Sequence, residues 1–382
     1  MSLFLSRLVK PALVRRSSSV SLLISNGFST SLRQSPPCSI IGAKPCLPLE
    51  YFYRSGLGTL IIANANVADM SCLVRLEKKV PVDLVHNDPD DTMVTIGASH
   101  GWVASLKDDG ILRLHDDLNP VASDTDPKRI QLPPLVTLPH CQTKIITNVS
   151  MSSSSPEDDE DCVVAVKFLG PQLSFCRPAQ SKPEWTNIKI ENSCFYSSRV
   201  MFSKKDNVFR IPGSGGHLIG SWDLREPNDK LKLQNVRFEN LPPKLPTPIR
   251  ELMDSCTKSE HLVESPSNGE TFLVKQYRKT AKFVEGVAQM KTQFLMVFKL
   301  DEEGNAVYTQ DMGDLTMFLS MSEPFCVPST SFPGLLPNNV YILDFDETAM
   351  VNLVDGYPFV STNGESDAPY YIPPQNILDS ES

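Results

Sequence analysis

No Asp or Glu occurs in the first 49 residues of this 382-residue chain, although that stretch carries Arg7, Lys10, Arg15, Arg16, Arg33 and Lys44. Setting those six aside leaves 30 of the 36 basic residues against all 45 acidic ones, so residues 50–382 carry a net charge of −15. A body short of positive charge is unsuited to general phosphate-backbone binding, which needs a basic face. No Cys-x-x-Cys pair occurs either. The nine cysteines, at 38, 46, 72, 141, 162, 176, 194, 256 and 326, stand singly. Scattered and odd in number, they read as reduced thiols in a reducing compartment rather than as a disulfide framework. No apolar run approaches 18 residues, so a transmembrane helix is not supported. A clear helix of three turns is missing throughout the body.

What is present is turn chemistry. Thirty-one prolines exceed the usual share and favour many turns and short strands. The stretch Gly97–Pro120 shows the pattern best: Val103 to Leu106 and Ile111 to Leu114 are short apolar runs on either side of Lys107-Asp108-Asp109-Gly110. An Asp-Gly pair tolerates positive φ at low cost, so this reads as a β-hairpin. Cys162–Phe168 and Leu173–Cys176 repeat the arrangement across Gly170-Pro171, and Val200–Phe202, Val208–Arg210 and His217–Leu224 add three strands. His261–Glu264 and Thr271–Lys275 flank an Asn-Gly turn at 268–269. Thr292–Leu300 and Ala306–Tyr308 flank Glu302–Asn305, and Leu315–Met321 and Asn338–Phe345 close the series. Turns every 8–12 residues are the all-β signature. A ring of such sheets leaves few exposed edges, which predicts a β-propeller over residues 50–382, with a pair of β-sandwiches as the rival. At about 40–45 residues per blade the body holds roughly seven blades, with six as the alternative.

The chain ends in sequence order differently from its middle. Residues 1–35 are cationic, Ser-rich and acid-free, the composition of an organelle transit peptide, with a processing point near Phe28-Ser29. Early arginines favour the mitochondrial matrix, with the plastid second. Residues 36–49 read as a proline-punctuated linker. Residues 150–161, a Ser-rich run ending in Glu157-Asp158-Asp159-Glu160-Asp161, read as a disordered acidic loop inside the propeller.

Four stretches together resemble one family: Gly97–Pro120, Met201–Leu224, His261–Leu300 and Gly313–Phe345, covering roughly residues 70–350. They are similar to the plant domain-of-unknown-function 295 family, the β-propeller that stands behind an F-box in many plant proteins. The resemblance implies a propeller fold. Residues 36–90 show no helical F-box pattern, so the likeness is to an organelle-targeted branch lacking that module, and a ubiquitin-ligase adaptor role is a distant alternative.

Chemistry is sparse. Gly213-Ser214-Gly215-Gly216-His217 lacks the following Lys-Ser/Thr of a phosphate cradle and reads as a hairpin turn. His100 has no second His or Cys nearby to complete a metal site. Asp344, Asp346 and Glu347 read as a solvated strand end rather than a cation site. Trp102, Trp185 and Trp222 read as structural aromatics between blades. No Ser-His-Asp order is recognisable. These observations imply no catalytic, cofactor-binding or metal residues, no cofactor, and a non-enzymatic protein-binding propeller whose partner presents a basic surface and is not nucleic acid. The competing reading is a propeller hydrolase or lyase with an acidic central channel, using Asp108, Asp109 or Asp344 near a metal. The oligomeric state stays open. One expectation is testable from the sequence alone: residues 1–50 fused to a fluorescent reporter should enter mitochondria, and a diffuse cytosolic signal would refute it.

Overall fold

In the computed structural model, residues 34–377 are described apart from short segments at 47–55, 66–72, 87–92, 140, 142–144, 226–230, 242–245, 355–357 and 361–367. The expected transit segment therefore lies outside the described residues, save for Gln34 and Ser35. Six antiparallel-rich sheets stand around an axis as six blades. Seven blades do not fit. The innermost strands of blades two to five start at Met93, Ile146, Met201 and Thr257, so each repeat takes 53–56 residues. The estimate of 40–45 residues undercounted the connecting loops.

The sequence pattern of each blade follows from its position between two neighbours. In blade three, Val164–Phe168 and Gln172–Cys176 are buried at every residue, while no residue of the outermost strand Thr186–Lys189 is buried. Middle strands are covered on both faces and so read as continuous apolar runs, whereas outer strands meet water and are polar. Cores form between blades. Phe175, Phe195 and Ile190 of blade three pack with Phe209, Ile211 and Trp222 of blade four. The hairpin Val208–Pro212 and Leu218–Trp222 turns at Gly213, as expected, with Gly213 N–H donating to Leu218 O at 2.7 Å.

Blade five departs most from expectation. Its central hairpin is Thr271–Val284 and Val287–Leu300, 14 residues each, far longer than the run ending at Lys275. Its tip turns through Glu285 (φ 49°) and Gly286 (φ 83°), the pair of positive φ values that a twisted two-residue hairpin loop demands. The one α-helix among the described residues, Thr247–Asp254, spans two turns beside this hairpin.

Two expected loops are structured. Within the supposed linker 36–49, Cys38–Pro45 is a strand of blade one, because Cys38 and Ile40 are apolar and fully buried there. Pro45 is tolerated at its last position, where ladder donation is no longer required. Within 150–161, Ser150 and Met151 end the inner strand Ile146–Met151, and neither is exposed. The acidic turn beyond them is pinned: Glu157 and Asp158 face Lys128 at 2.9 and 3.8 Å, and Trp102 Nε1–H donates to Ser154 O at 2.9 Å.

The ring closes in blade one. Tyr371–Ile372 pairs antiparallel with Cys38–Pro45, in the register Cys38 to Ile372 and Ser39 to Tyr371. Tyr371 also sets its ring edge-on to Phe318 of blade six, with centroids 5.2 Å apart. Replacing Tyr371 with Ala keeps the backbone pairing but removes the buried ring and its contact to Phe318, and should cost about 3–5 kcal/mol. A lower urea midpoint with an unchanged all-β circular dichroism spectrum is expected. An unchanged midpoint would show that closure does not depend on this ring.

Candidate functional site

The inner strands of blades two, three and four end around a single carboxylate. Glu323 precedes the inner-edge strand Phe325–Pro328 of blade six. Its carboxylate accepts from Ser99 Oγ at 2.7 Å, Ser150 Oγ at 2.8 Å and Phe202 N–H at 2.8 Å. These donors come from three different blades, so Glu323 joins four blades at the axis. Its own N–H donates to Ala98 O at 2.7 Å, and Ser322 bridges to Ala98. Burial pushes the Glu323 carboxyl above its ordinary range, while the Ser99, Phe202 and Ser150 donors pull the other way. Because Ser99, Ser150 and Phe202 meet at one group, the turns that follow these strands gather on one rim.

That rim carries a cavity of about 370 Å³ between blades two and three, closed on one side by the C-terminal segment. His100, Trp102, Asp116, Asn119 and Gln375 are among its lining residues. His100 sits in the left-handed region (φ 51°) and places its Nδ1 2.9 Å from Ser99 Oγ. Burial, helped by Lys204, depresses its imidazole to about 4, so the ring is neutral at physiological pH. Asp116 is 7% exposed, and burial raises its carboxyl despite a 2.8 Å bond from Lys128 N–H. The sequence reading singled out His100 but not its neighbours Asp116 and Gln375. Gln375 is distant in sequence, and only ring closure brings it here.

Blade two also holds a Ser–His–Asp series that the sequence reading did not recognise. Ser105 Oγ lies 2.8 Å from His115 Nε2, and His115 Nδ1 lies 3.6 Å from Asp117 Oδ2. The strand register pairs Val103 with His115 and Ser105 with Arg113, which is the signal that could have found it. Burial alone would raise the Asp117 carboxyl. The nearby His115 imidazole and the Arg129 guanidinium, which donates to both oxygens at 3.0 and 2.8 Å, outweigh it and hold the group at about 2. Ser105 is 0% exposed and Asp117 1%, so no substrate reaches the hydroxyl. The series ties three strands of the blade together and is not a nucleophile site.

The acidic residues of the enzymatic reading do not converge. Asp108 and Asp109 lie in the exposed hairpin turn, where Asp109 pairs with Arg113 at 2.6 Å. Asp344 pairs with Arg278 at 2.8 Å on the other side of the ring. Asp346 accepts from Met290 N–H at 3.1 Å, and Glu347 accepts from Thr292 N–H and Oγ1 at 2.8 and 2.7 Å. Those carboxylates therefore join blade six to blade five; Glu347 is wholly buried rather than solvated. Among the described residues no group of three or more His, Cys, Asp or Glu is arranged to hold a metal ion. The tryptophans are interblade, as expected: Trp185 Nε1–H donates across to Pro133 O at 2.7 Å, and Trp222 is fully buried between blades three and four. No helix among the described residues is long and apolar enough to cross a membrane.

The sequence matches the family described as "KIB1-4 beta-propeller" over residues 74–367. No curated protein matches it. Solved structures similar to it include the Cps50 (Swd1) β-propeller domain of Myceliophteria thermophila, 11% identical with a TM-score of 0.33, covering 72% of this chain and 89% of that one. The N-terminal domain of Nup159 is 8% identical with a TM-score of 0.31, covering 73% and 69%. The dihydro-heme d1 dehydrogenase NirN, in complex with DHE, is 9% identical with a TM-score of 0.34, covering 89% and 75%. At these scores the three carry no functional argument.

The axial carboxylate gives a stability prediction. Glu323→Ala strands donors from three blades and should cost about 2–4 kcal/mol, with Glu323→Gln closer to wild type because one oxygen is kept. Equal urea midpoints for wild type and Glu323→Ala would remove the axial tie from the account.

Proposed function

Because the chain belongs to the KIB1-4 β-propeller family, we propose that it is a non-enzymatic protein-binding propeller, working in mitochondria and holding a basic partner on the loop rim. The observation that carries this reading is the rim cavity: it is lined by carboxylates and aromatic surface, while Asp108, Asp109 and Asp344, which an enzyme would need together in the channel, are dispersed, the last two into ion pairs. Propellers commonly serve as interaction scaffolds, and fold alone assigns no chemistry. The organelle assignment rests on the cationic, acid-free composition of residues 1–35. The likeness to an F-box-associated family lacking its F-box belongs to this proposal too, as does the absence of catalysis.

The body's net −15 favours a basic partner by long-range steering. At the rim that field is trimmed locally, since Lys128 engages Glu157 and Asp158. Proximity labelling from the full chain in isolated mitochondria tests the reading, and specific capture of proteins with Lys/Arg-rich surfaces is expected. With a captured partner in hand, changing Glu157, Asp158, Asp159, Glu160 and Asp161 to Asn or Ser should slow association by about threefold to tenfold at low salt and leave dissociation nearly unchanged. Equal association rates would exclude the acidic turn as a steering element. Salt-dependent binding to nucleic acid would contradict the proposed partner class.

A further inference from the structure

The rim cavity between blades two and three is fitted with hydrogen-bond acceptors whose own partners fix their orientation. The Ser99 hydroxyl has one proton, and Glu323 Oε2 at 2.7 Å receives it. Ser99 Oγ must then accept from His100 at 2.9 Å, which puts the imidazole proton on Nδ1 and leaves Nε2 as a bare lone pair. A further donor, Met151 N–H at 3.2 Å, completes the hydroxyl. Gln375 is oriented in the same way. Its Nε2 donates to Pro373 O at 2.8 Å and Pro374 O at 3.3 Å, so Oε1 faces the cavity and receives only a 3.3 Å contact from Asn119 Nδ2. Gly101 lies directly beneath: a Cβ there would stand 2.8 Å from Gln375 Oε1, so glycine keeps His100 and Gln375 side by side.

The third acceptor is charged. Asp116 is 7% exposed, one carboxylate oxygen holds Lys128 N–H, and the other has no hydrogen-bond partner. The nearest cations direct their hydrogen bonds elsewhere: Lys78, whose charge is felt at Asp116, donates from Nζ to Asn119 O and Ala122 O at 2.8 and 2.9 Å, and Lys128 Nζ turns to Glu157. A carboxylate whose second oxygen lacks a donor, lining the same cavity as two neutral acceptors, suits a group that only donates. A primary ammonium supplies three N–H donors and no acceptor.

We propose that this cavity receives a lysine side chain of a partner protein, with Asp116 as its charge partner and His100 Nε2 and Gln375 Oε1 as the flanking acceptors. This rests on the protein-binding reading above and names the chemistry it recognises. Asp116 makes a charge-assisted bond, and the two neutral acceptors set the direction of approach. Acetylation of the lysine removes the charge and two of the three donors, so the site distinguishes the modified from the unmodified residue.

Selection of a displayed library of 12-residue peptides on the full chain tests this directly. The enriched sequences should share a lysine at one position. Acetylating that lysine, or introducing Asp116→Asn, should weaken binding at least tenfold, whereas Asp158→Asn at the rim should weaken it less than threefold. Asparagine keeps the acceptor for Lys128 N–H, and the acetylated peptide needs no variant, so misfolding cannot imitate the result. A shared arginine, no enrichment of lysine, or equal binding of the acetylated peptide overturns the proposal. Competition by spermidine as strong as by the peptide also overturns it, since a free polyamine would then be the occupant. Partner capture separates the two levels: partners retained fully by Asp116→Asn refute the lysine pocket and leave the binding reading standing. If wild type captures no partner, the binding reading fails while the peptide selection still decides the pocket.

Discussion

Everything in this fold depends on the junction of its two ends closing a ring. Each blade buries both faces only because a neighbour covers each of them, and an open arc would leave two sheet faces and two inner edges in water. Tyr371 and Ile372, paired to Ser39 and Cys38, remove that defect by giving blade one a strand from each end of the chain. The core behind this junction mixes both termini: Cys38, Ile40 and Leu60 pack with Ala368, Tyr370 and Ile372. Closure also creates the cavity, since Gln375 follows the closing strand directly. Fold and candidate site thus share one dependency.

The axis poses a different problem from the interblade cores. Inner strands have one edge without a ladder partner, so their backbone donors need acceptors from elsewhere. Glu323 answers for Phe202 N–H while also taking the hydroxyls of Ser99 and Ser150. Between blades three and four, Asn148 does the same with a neutral amide, accepting from Val200 N–H at 2.9 Å and donating to Val200 O at 2.7 Å. In blade three, Lys167 is wholly buried, and its ammonium donates to the carbonyls of Phe168, Gly170 and Tyr196. Burial depresses that amine to about 7, but three carbonyl dipoles aimed at one nitrogen favour the charged form, so we assign an ammonium. Polar groups in this interior are fixed by several partners each, which sets the register between blades in a way that apolar contact does not.

How much of this was legible depends on where a strand sits in its blade. Middle strands such as Val164–Phe168 and Leu218–Trp222 show as apolar runs with turn residues between them, and the sequence places them well. Outer strands do not show. Arg129–Pro134 shows no apolar run because Arg129, Gln131 and Pro134 face water, and Lys232–Asn235 has no apolar residue but Leu233. The repeat of about 40–45 residues left too little room for the long connecting loops, which made the blade number too large. Cys38–Pro45 was hidden by flanking prolines; it pairs along its length with Leu57–Asn64 and, at Cys38 and Ser39, with a segment over 300 residues away. The site was half legible. His100 stood out beside Gly101-Trp102, but its tautomer depends on Glu323, and its cavity on Asp116 and Gln375, none of which are sequence neighbours.

Charge illustrates the gap between composition and site. A net of −15 over residues 50–382 describes a field felt at a distance, which biases encounter rates and is screened within about 8–10 Å at physiological salt. Close to the protein, that count is misleading. Asp109, Asp117, Asp223 and Asp344 each have an arginine within hydrogen-bond or ion-pair range, and Glu347 and Glu323 are consumed by neutral donors. The acidic turn itself is partly neutralised by Lys128. What survives this pairing at the rim cavity is one oxygen of Asp116, sharing the cavity with two neutral acceptors. Specificity in such a place comes from the absence of competing donors rather than from the amount of negative charge. A partner is therefore drawn by the whole surface but selected by the geometry of a single carboxylate.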